Sequence, residues 1–181
     1  MHGQRAKHPE GYYMNDIKIG KASVSIWALL AFIGAIFAFI SFFLAMTKFS
    51  YSYGIGELTT KAISGIDMIS NKWDGNDYSH FTFWKIMPLL TMLAALATIV
   101  LGILPVFGVN NSGVKTAFMV CAIVTFVLGL LVFICSAGKP IIESDYYVWN
   151  KVQRQVGAYF ALIGGIVAGL GAVLDKLGVK I

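Results

Sequence analysis

The stretch that decides the fold is residues 157–174, which read GAYFALIGGIVAGLGAVL and contain no charged residue. Small residues recur in it every four positions and form two adjacent ridges on a helix. The first ridge is Gly157, Ala161, Gly165 and Gly169, and the second is Gly164, Ala168 and Ala172. Small residues at this spacing let the backbones of membrane helices approach closely. Either both ridges pack within the chain's own bundle, or one of them meets a neighbouring copy.

Three further apolar runs accompany this one, at residues 24–47, 86–107 and 116–137, and none contains Asp, Glu, Lys, Arg or His. A bilayer core about 30 Å thick needs about 20 helical residues to cross it. Backbone groups in lipid must bond within their own segment, so these runs are helices. We therefore predict an all-α membrane protein with four transmembrane helices in an up-down bundle, the fourth span being 156–174.

The composition favours a lipid-facing surface and excludes nucleic acid as a partner. Hydrophobic residues make up 57% of the chain and charged residues 13%, and the mean hydropathy is +0.74. Soluble domains have about 45–50% apolar and about 25% charged residues. The net charge is +5, but the 14 Lys and Arg residues are scattered and flank the apolar runs instead of forming a basic stripe. The expected partner is the lipid bilayer.

Basic residues next to the first span predict the orientation. Lys18 and Lys21 lie directly before it, and such residues tend to stay in the cytoplasm. We expect a cytoplasmic N-terminal segment at 1–22, a transmembrane domain at 23–175 with outer loops 48–85 and 138–155, and a cytoplasmic tail at 176–181. The expected location is the plasma membrane, crossed several times, with both termini cytoplasmic.

The outer loops carry local helix signals. In the first loop, apolar residues fall at helical spacing, namely Ile55, Leu58, Ala62, Ile66 and Ile69. This stripe predicts a short amphipathic helix over roughly residues 55–70, lying on the membrane surface or on top of the bundle. In the second loop, Ser144 is suited to cap a helix, so the fourth helix is expected to begin near Asp145.

Aromatic residues cluster where the outer loops meet the spans. This outer aromatic set comprises Trp73, Tyr78, Phe81, Phe83, Trp84, Tyr146, Tyr147 and Trp149. One interpretation is an aromatic belt, because amphipathic rings favour the headgroup layer. The other is an association surface, because Trp and Tyr are enriched at binding hot spots. Both interpretations remain open from the sequence.

The spans lack the residues that catalysis and ion coupling require. General acid–base chemistry needs titratable groups held near a substrate, and ion-coupled carriers need buried carboxylates or histidines. Asp74 and Asp77 offer oxygen ligands, but the Asp-Gly and Asn-Asp pairs around them match ordinary turn chemistry. We expect no catalytic residue, no metal site and no cofactor, so the chain is not expected to be an enzyme.

Two stretches carry a resemblance to a group of known proteins. SGIDMISNKWDG at 64–75, leading into MPLLTMLAAL at 87–96, and the quoted stretch 157–174 resemble small four-helix bacterial membrane proteins of unknown function. This resemblance implies a plasma-membrane location and no known activity. The layout, with a long first outer loop and a short second one, also looks like the eukaryotic tetraspan and claudin plan. The Trp–Gly-Leu-Trp–Cys–Cys signature of claudins is missing.

These observations favour a non-enzymatic integral membrane protein that works by association. It would form a homo-oligomer, or serve as an accessory or structural subunit beside another membrane protein. The alternative is an oligomeric channel or exporter of small molecules. Its aqueous path would run between subunits, because the spans offer only Ser, Thr and Tyr159 as polar lining. An enzyme acting on a lipid-like substrate ranks third.

Overall fold

The computed structural model describes residues 16–19, 22–52, 58–70, 82–136 and 148–179. Helix predominates in them, as predicted. In chain order the elements are strands β1 (Asp16–Ile19) and β2 (Ala22–Ser25), helix α1 (Ile26–Ser41), strands β3 (Ala45–Ser52) and β4 (Leu58–Ser64), the short helix α2 (Gly65–Ser70), helix α3 (Thr82–Ile103), a 3-10 helix (Leu104–Phe107), helix α4 (Ser112–Cys135), strand β5 (Val148–Arg154) and helix α5 (Val156–Leu177).

Within the described residues, three helical segments are long and apolar enough to cross a membrane. They are Ile86–Phe107, Ser112–Cys135 and Val156–Leu177. The prediction of a membrane-embedded helical protein is confirmed at this level. Helix α1 is also apolar but has only 16 residues, about 24 Å at 1.5 Å per residue. Its length alone does not make it a fourth span.

Helices α1, α3, α4 and α5 form an up-down bundle. Gly34 of α1 lies against Ala168 of α5, whereas Gly157 at the start of α5 lies against Ser41 at the end of α1, so these two helices run antiparallel. The residue pairs in contact between the other helices show that α4 runs antiparallel to both α5 and α3. Helix α3 therefore runs antiparallel to α1. Each helix therefore packs against the helices before and after it around the ring α1–α3–α4–α5.

Side-chain caps and glycines fix where the helices begin and end. The Ser25 hydroxyl accepts a hydrogen bond from the Ala28 N–H at 3.0 Å and starts α1. The Asn111 side chain does the same for the Val114 N–H at 2.9 Å and starts α4. Gly178 ends α5 with φ of 63°, a left-handed conformation that glycine adopts without a Cβ clash.

A three-stranded antiparallel sheet covers one end of the bundle, in the order β4-β3-β5. Its central strand pairs Thr47 with both Ile63 of β4 and Arg154 of β5. We call this end of the molecule the outer end. The opposite, inner end carries the β1–β2 hairpin, the loop between α3 and α4, and the end of α5.

The predicted amphipathic helix over residues 55–70 is wrong for most of its length. Residues Leu58–Ser64 form strand β4, and only Gly65–Ser70 is helical. The helical spacing of the apolar residues did not decide the structure, because this segment gains a full ladder of backbone hydrogen bonds to β3. Thr59, Thr60 and Ile63 are also β-branched, and such residues favour strands. Ile55 lies outside the described residues.

The outer ends of the first and fourth predicted helices also differ. Helix α1 stops at Ser41, and the rest of the apolar run 24–47 enters β3. Met46 and Thr47 are fully buried in β3. The end of the run is therefore apolar because it packs inside the protein. The fourth helix begins at Val156 instead of near Asp145, because β5 pairs with β3 in front of it.

Candidate functional site

The contact between α1 and α5 is close enough for backbones to touch. Gly164 is buried, and a Cβ placed on it would lie 2.5 Å from the Ala38 nitrogen and 2.6 Å from the Gly34 oxygen. Gly171 is similar, since a Cβ there would lie 2.7 Å from the Trp27 oxygen. These neighbours are main-chain atoms that cannot move aside without shifting a helix. Glycine is therefore required along this face.

The opposite side of α5 packs against α4. A Cβ placed on Gly129 of α4 would meet the Ala161 backbone directly. On α5, a Cβ at Gly165 would lie 3.0 Å from the Phe126 Cα, and one at Gly169 would lie 3.0 Å from the Phe126 Cβ. These two contacts on α5 are also tight, but at 3.0 Å they require a smaller shift than the contacts with α1.

The two predicted ridges of α5 therefore lie inside this chain's own bundle. All seven of their residues are buried, namely Gly157, Ala161, Gly164, Gly165, Ala168, Gly169 and Ala172. The second ridge faces α1 and the first faces mainly α4. Burial leaves these residues no accessible surface for a second copy. Sequence reasoning missed Gly129 and Gly171, whose small size follows the same rule.

The outward faces of the helices are apolar. On α1, Leu30, Ile33, Phe37 and Ile40 are each about two-fifths exposed, and on α5 Ile163 is 55% exposed. The core, in contrast, is built largely of alanine and glycine. Large apolar side chains outside and small ones inside are what a bundle surrounded by lipid requires, because lipid tails solvate leucine as well as a protein core does.

Threonines form a polar seam between α3 and α4. Thr98 and Thr125 are fully buried, and their hydroxyl oxygens lie 3.3 Å apart. Each also lies 2.9 Å from the carbonyl oxygen four residues earlier in its own helix. A hydroxyl carries one proton, so only one of the two can donate across the interface at a time. This contact aligns the helices but adds little stability.

Arg154 connects the sheet to the outer end of α4. Its Nε donates to the Phe133 carbonyl oxygen at 2.9 Å, and its guanidinium carbon lies 4.4 Å from the centre of the Phe133 ring. The last carbonyls of a helix have no partner inside the helix, and a cation is favoured at this end of the helix dipole. Thr47 adds a second connection, since its hydroxyl donates to the Ser136 carbonyl oxygen at 3.2 Å.

The inner end is closed by the termini of α1 and α5. The Ser25 hydroxyl, which caps α1, also bonds the Asp175 carboxylate. A negative charge near a helix N-terminus is stabilised by the helix dipole. The Trp27 indole donates to the Val179 carbonyl oxygen at 2.9 Å, and the Lys176 ammonium donates to the Thr116 hydroxyl at 3.2 Å.

Much of the outer aromatic set lies beyond the part of the chain that the structure describes. That part excludes Trp73, Tyr78, Phe81, Tyr146 and Tyr147. The backbones of the other three are placed. Phe83 and Trp84 lie in the first turn of α3, and Trp149 lies in β5 opposite Tyr51 of β3. The choice between a belt and an association surface stays a prediction.

Candidate metal ligands do not gather in the described segments. Across them, no three His, Cys, Asp or Glu residues lie close enough to hold a metal ion. Asp74 and Asp77 lie outside these segments. Cys121 and Cys135 are free thiols on α4.

Comparisons of this chain with protein families, with curated proteins and with solved structures give no match.

Proposed function

We propose that the chain is a four-span plasma-membrane protein that works by association at its outer end, with copies of itself or with another membrane protein. The observation that supports this most is the way the outer end is built. A three-stranded sheet assembled from both outer loops is fixed to the bundle by Arg154 and Thr47. A rigid, organised surface of this kind suits recognition, because less flexibility is lost on binding.

We propose that α1 crosses the membrane in addition to the three longer segments. Helix α1 runs beside α5 from the contact of Ala31 with Gly171 to that of Ser41 with Gly157. Because α5 is long enough to cross the membrane, the exposed apolar face of α1 lies at the same depths. The bend after α1 adds further apolar length, since Phe43 is 49% exposed.

Basic residues at the inner end support the proposed orientation. Lys115 and Lys176 are exposed there, and Lys18 lies in the β1–β2 hairpin at the same end. Lysines close to spans favour the cytoplasmic side. We therefore place both termini in the cytoplasm and the three-stranded sheet outside.

The surface proposed for association is the outer end. The small-residue ridges are already used inside the chain. The sheet ends in two edge strands, β4 and β5, and edge strands offer backbone groups to partners. A channel would have to run between copies, because among the described residues α5 touches the backbones of both α1 and α4. A cavity at the outer end has a volume of about 10 Å³, which is room for about one water molecule. It is lined by Met46, Met68, Met87, Pro88, Val132 and Ser136.

The experiment compares Trp73→Ala with Trp84→Ala. Binding energy at interfaces concentrates in a few desolvated aromatic residues, whose truncation costs about 2 kcal/mol or more, roughly thirtyfold in affinity. Among the aromatic residues of the outer set that precede the second span, Trp73 lies furthest in sequence from that span, whereas Trp84 lies in the first turn of α3. We expect Trp73→Ala to weaken self-association or partner capture in lipid about thirtyfold and Trp84→Ala to leave it unchanged.

Energy transfer between differently labelled copies in liposomes measures self-association, and co-purification of neighbouring membrane proteins measures partner capture. The matched Trp84→Ala variant controls for the general loss of an interfacial ring. If both variants associate as the parent does, the outer aromatic set is a membrane belt, and association at Trp73 is wrong.

A further inference from the structure

Helix α2 is held in a fixed position at the outer end. The N–H of Gly65 donates to the Phe42 carbonyl oxygen at 3.0 Å, and a Cβ placed on Gly65 would lie 2.8 Å from the same oxygen. The Asp67 carboxylate accepts from the N–H and the hydroxyl of Ser64 at 2.9 Å and 2.7 Å. The start of α2 is thereby fastened to the end of α1.

The height of α2 relative to the membrane follows from Met68. This side chain is 7% exposed and lies in the same apolar cluster as Met46 and Met87. Met87 is the second residue of the span-length segment Ile86–Phe107. Helix α2 therefore lies beside the first turn of this apolar segment, at the level where the span ends.

The surface of α2 is divided into three sectors. At about 100° per residue, the buried residues Gly65 and Met68 are followed around the helix by Ile69 and Ile66, and then by the polar residues Ser70 and Asp67. Ile66 and Ile69 are 46% and 45% exposed. On one side of the helix the apolar exposed sector thus lies between the buried sector and the polar one, as expected for a helix at a membrane–water interface.

We propose that α2 is an interfacial anchor that inserts Ile66 and Ile69 into the outer leaflet of the bilayer. We assign lipid as the occupant of this apolar face, because α2 packs against α3 at the level of the outermost lipid-facing residues of α3. On that side Ile86 and Leu90 are 40% and 38% exposed, at the level of Met87. Asp67 and Ser70 are also exposed and face the headgroup layer.

The anchor also acts on the sheet. Strand β4 ends at Ser64 and α2 begins at Gly65 without a linker. Immersing α2 in the leaflet therefore fixes the height of β4, an edge strand of the sheet, above the membrane. The assignment of α2 to the outer leaflet rests on the proposed orientation, but the anchor does not require that the outer end bind a partner.

Spin labels placed singly by Ile66→Cys and Ile69→Cys test the anchor, with Cys121 and Cys135 replaced by alanine. The full-length protein is studied in liposomes. For each label, the rate of collision with oxygen, which concentrates in lipid, is compared with the rate of collision with a water-soluble nickel chelate. Leu93→Cys on the lipid-facing side of α3 and Thr60→Cys on β4 are the matched controls, since Leu93 is 48% exposed and Thr60 is also exposed.

We expect both α2 labels to collide with oxygen in preference to the nickel chelate, as the Leu93 label does, and the Thr60 label to show the reverse preference. Two results would overturn the proposal. Preference for the nickel chelate at both α2 positions would mean that α2 faces water. Protection from both reagents would mean that protein, a second copy included, covers the isoleucines in place of lipid.

Discussion

Gly164→Ala is expected to destabilise the bundle by about 3 kcal/mol, the upper end of the usual cost of overpacking a core. The added methyl group would lie 2.5 Å from the Ala38 nitrogen and 2.6 Å from the Gly34 oxygen. Both atoms belong to the backbone of α1, so the clash can be relieved only by separating two whole helices. That movement also weakens neighbouring contacts, such as the one between Gly171 and Ala31.

Gly169→Ala is the matched control on the same helix, because its added methyl group would lie 3.0 Å from its nearest neighbour, the Phe126 Cβ. At this distance the neighbour has to move by only a few tenths of an ångström, and alanine has the better helix propensity, so the expected cost is about 1 kcal/mol or less. Unfolding in mixed micelles, followed by circular dichroism, measures both variants against the parent. Equal losses of stability at Gly164 and Gly169 would show that backbone contact between α1 and α5 is not what requires glycine.

Arg154→Met is expected to destabilise the outer end by about 2–3 kcal/mol. The substitution removes a charge-assisted hydrogen bond, a class worth about 1.5–3 kcal/mol, and a cation–π contact worth about 0.5–1 kcal/mol. It also leaves the Phe133 carbonyl without this donor. Methionine retains much of the aliphatic bulk, so the loss reports on the guanidinium.

Hydrogen exchange locates this effect, because β3 and β5 should exchange faster in Arg154→Met while α1 and the inner half of α5 remain protected. Lys176→Met is a control for the loss of a positive charge, since Lys176 is exposed at the inner end and bonds only a threonine hydroxyl among the described residues. We expect it to change stability by less than about 0.5 kcal/mol. Unchanged exchange in the sheet of Arg154→Met would remove Arg154 as the connection between sheet and bundle.

The parts of the fold that sequence could predict are those set by apolarity and residue size. The runs at 86–107 and 116–137 correspond closely to α3 with its 3-10 helix and to α4. The recurring small residues of α5 also pointed to close helix packing. In both cases the signal is local, because hydropathy and four-residue spacing are read along one helix.

The sheet could not be predicted in the same way. Thr47 pairs with Arg154, which lies in the other outer loop, and no local periodicity reveals a partner so far along the chain. The apolar residues of β4 also matched a helical stripe by chance. Arg154 carried one weak signal, as a cation two residues before an apolar run, but its Phe133 partner became apparent only once β5 was placed beside β3.

The most direct test of the whole account asks whether α1 crosses the membrane. Single cysteines are introduced at Ile17, Thr60 and Asn110 in a chain whose Cys121 and Cys135 are replaced by alanine, and intact cells are treated with a membrane-impermeant maleimide. All three positions are exposed. Asn110 is used because the neighbouring Asn111 caps α4. Four spans with cytoplasmic termini predict labelling of Thr60→Cys from outside, and labelling of Ile17→Cys and Asn110→Cys only after the membrane is opened. Labelling of Ile17→Cys together with Thr60→Cys from outside would contradict the account, because α1 would then not cross the membrane.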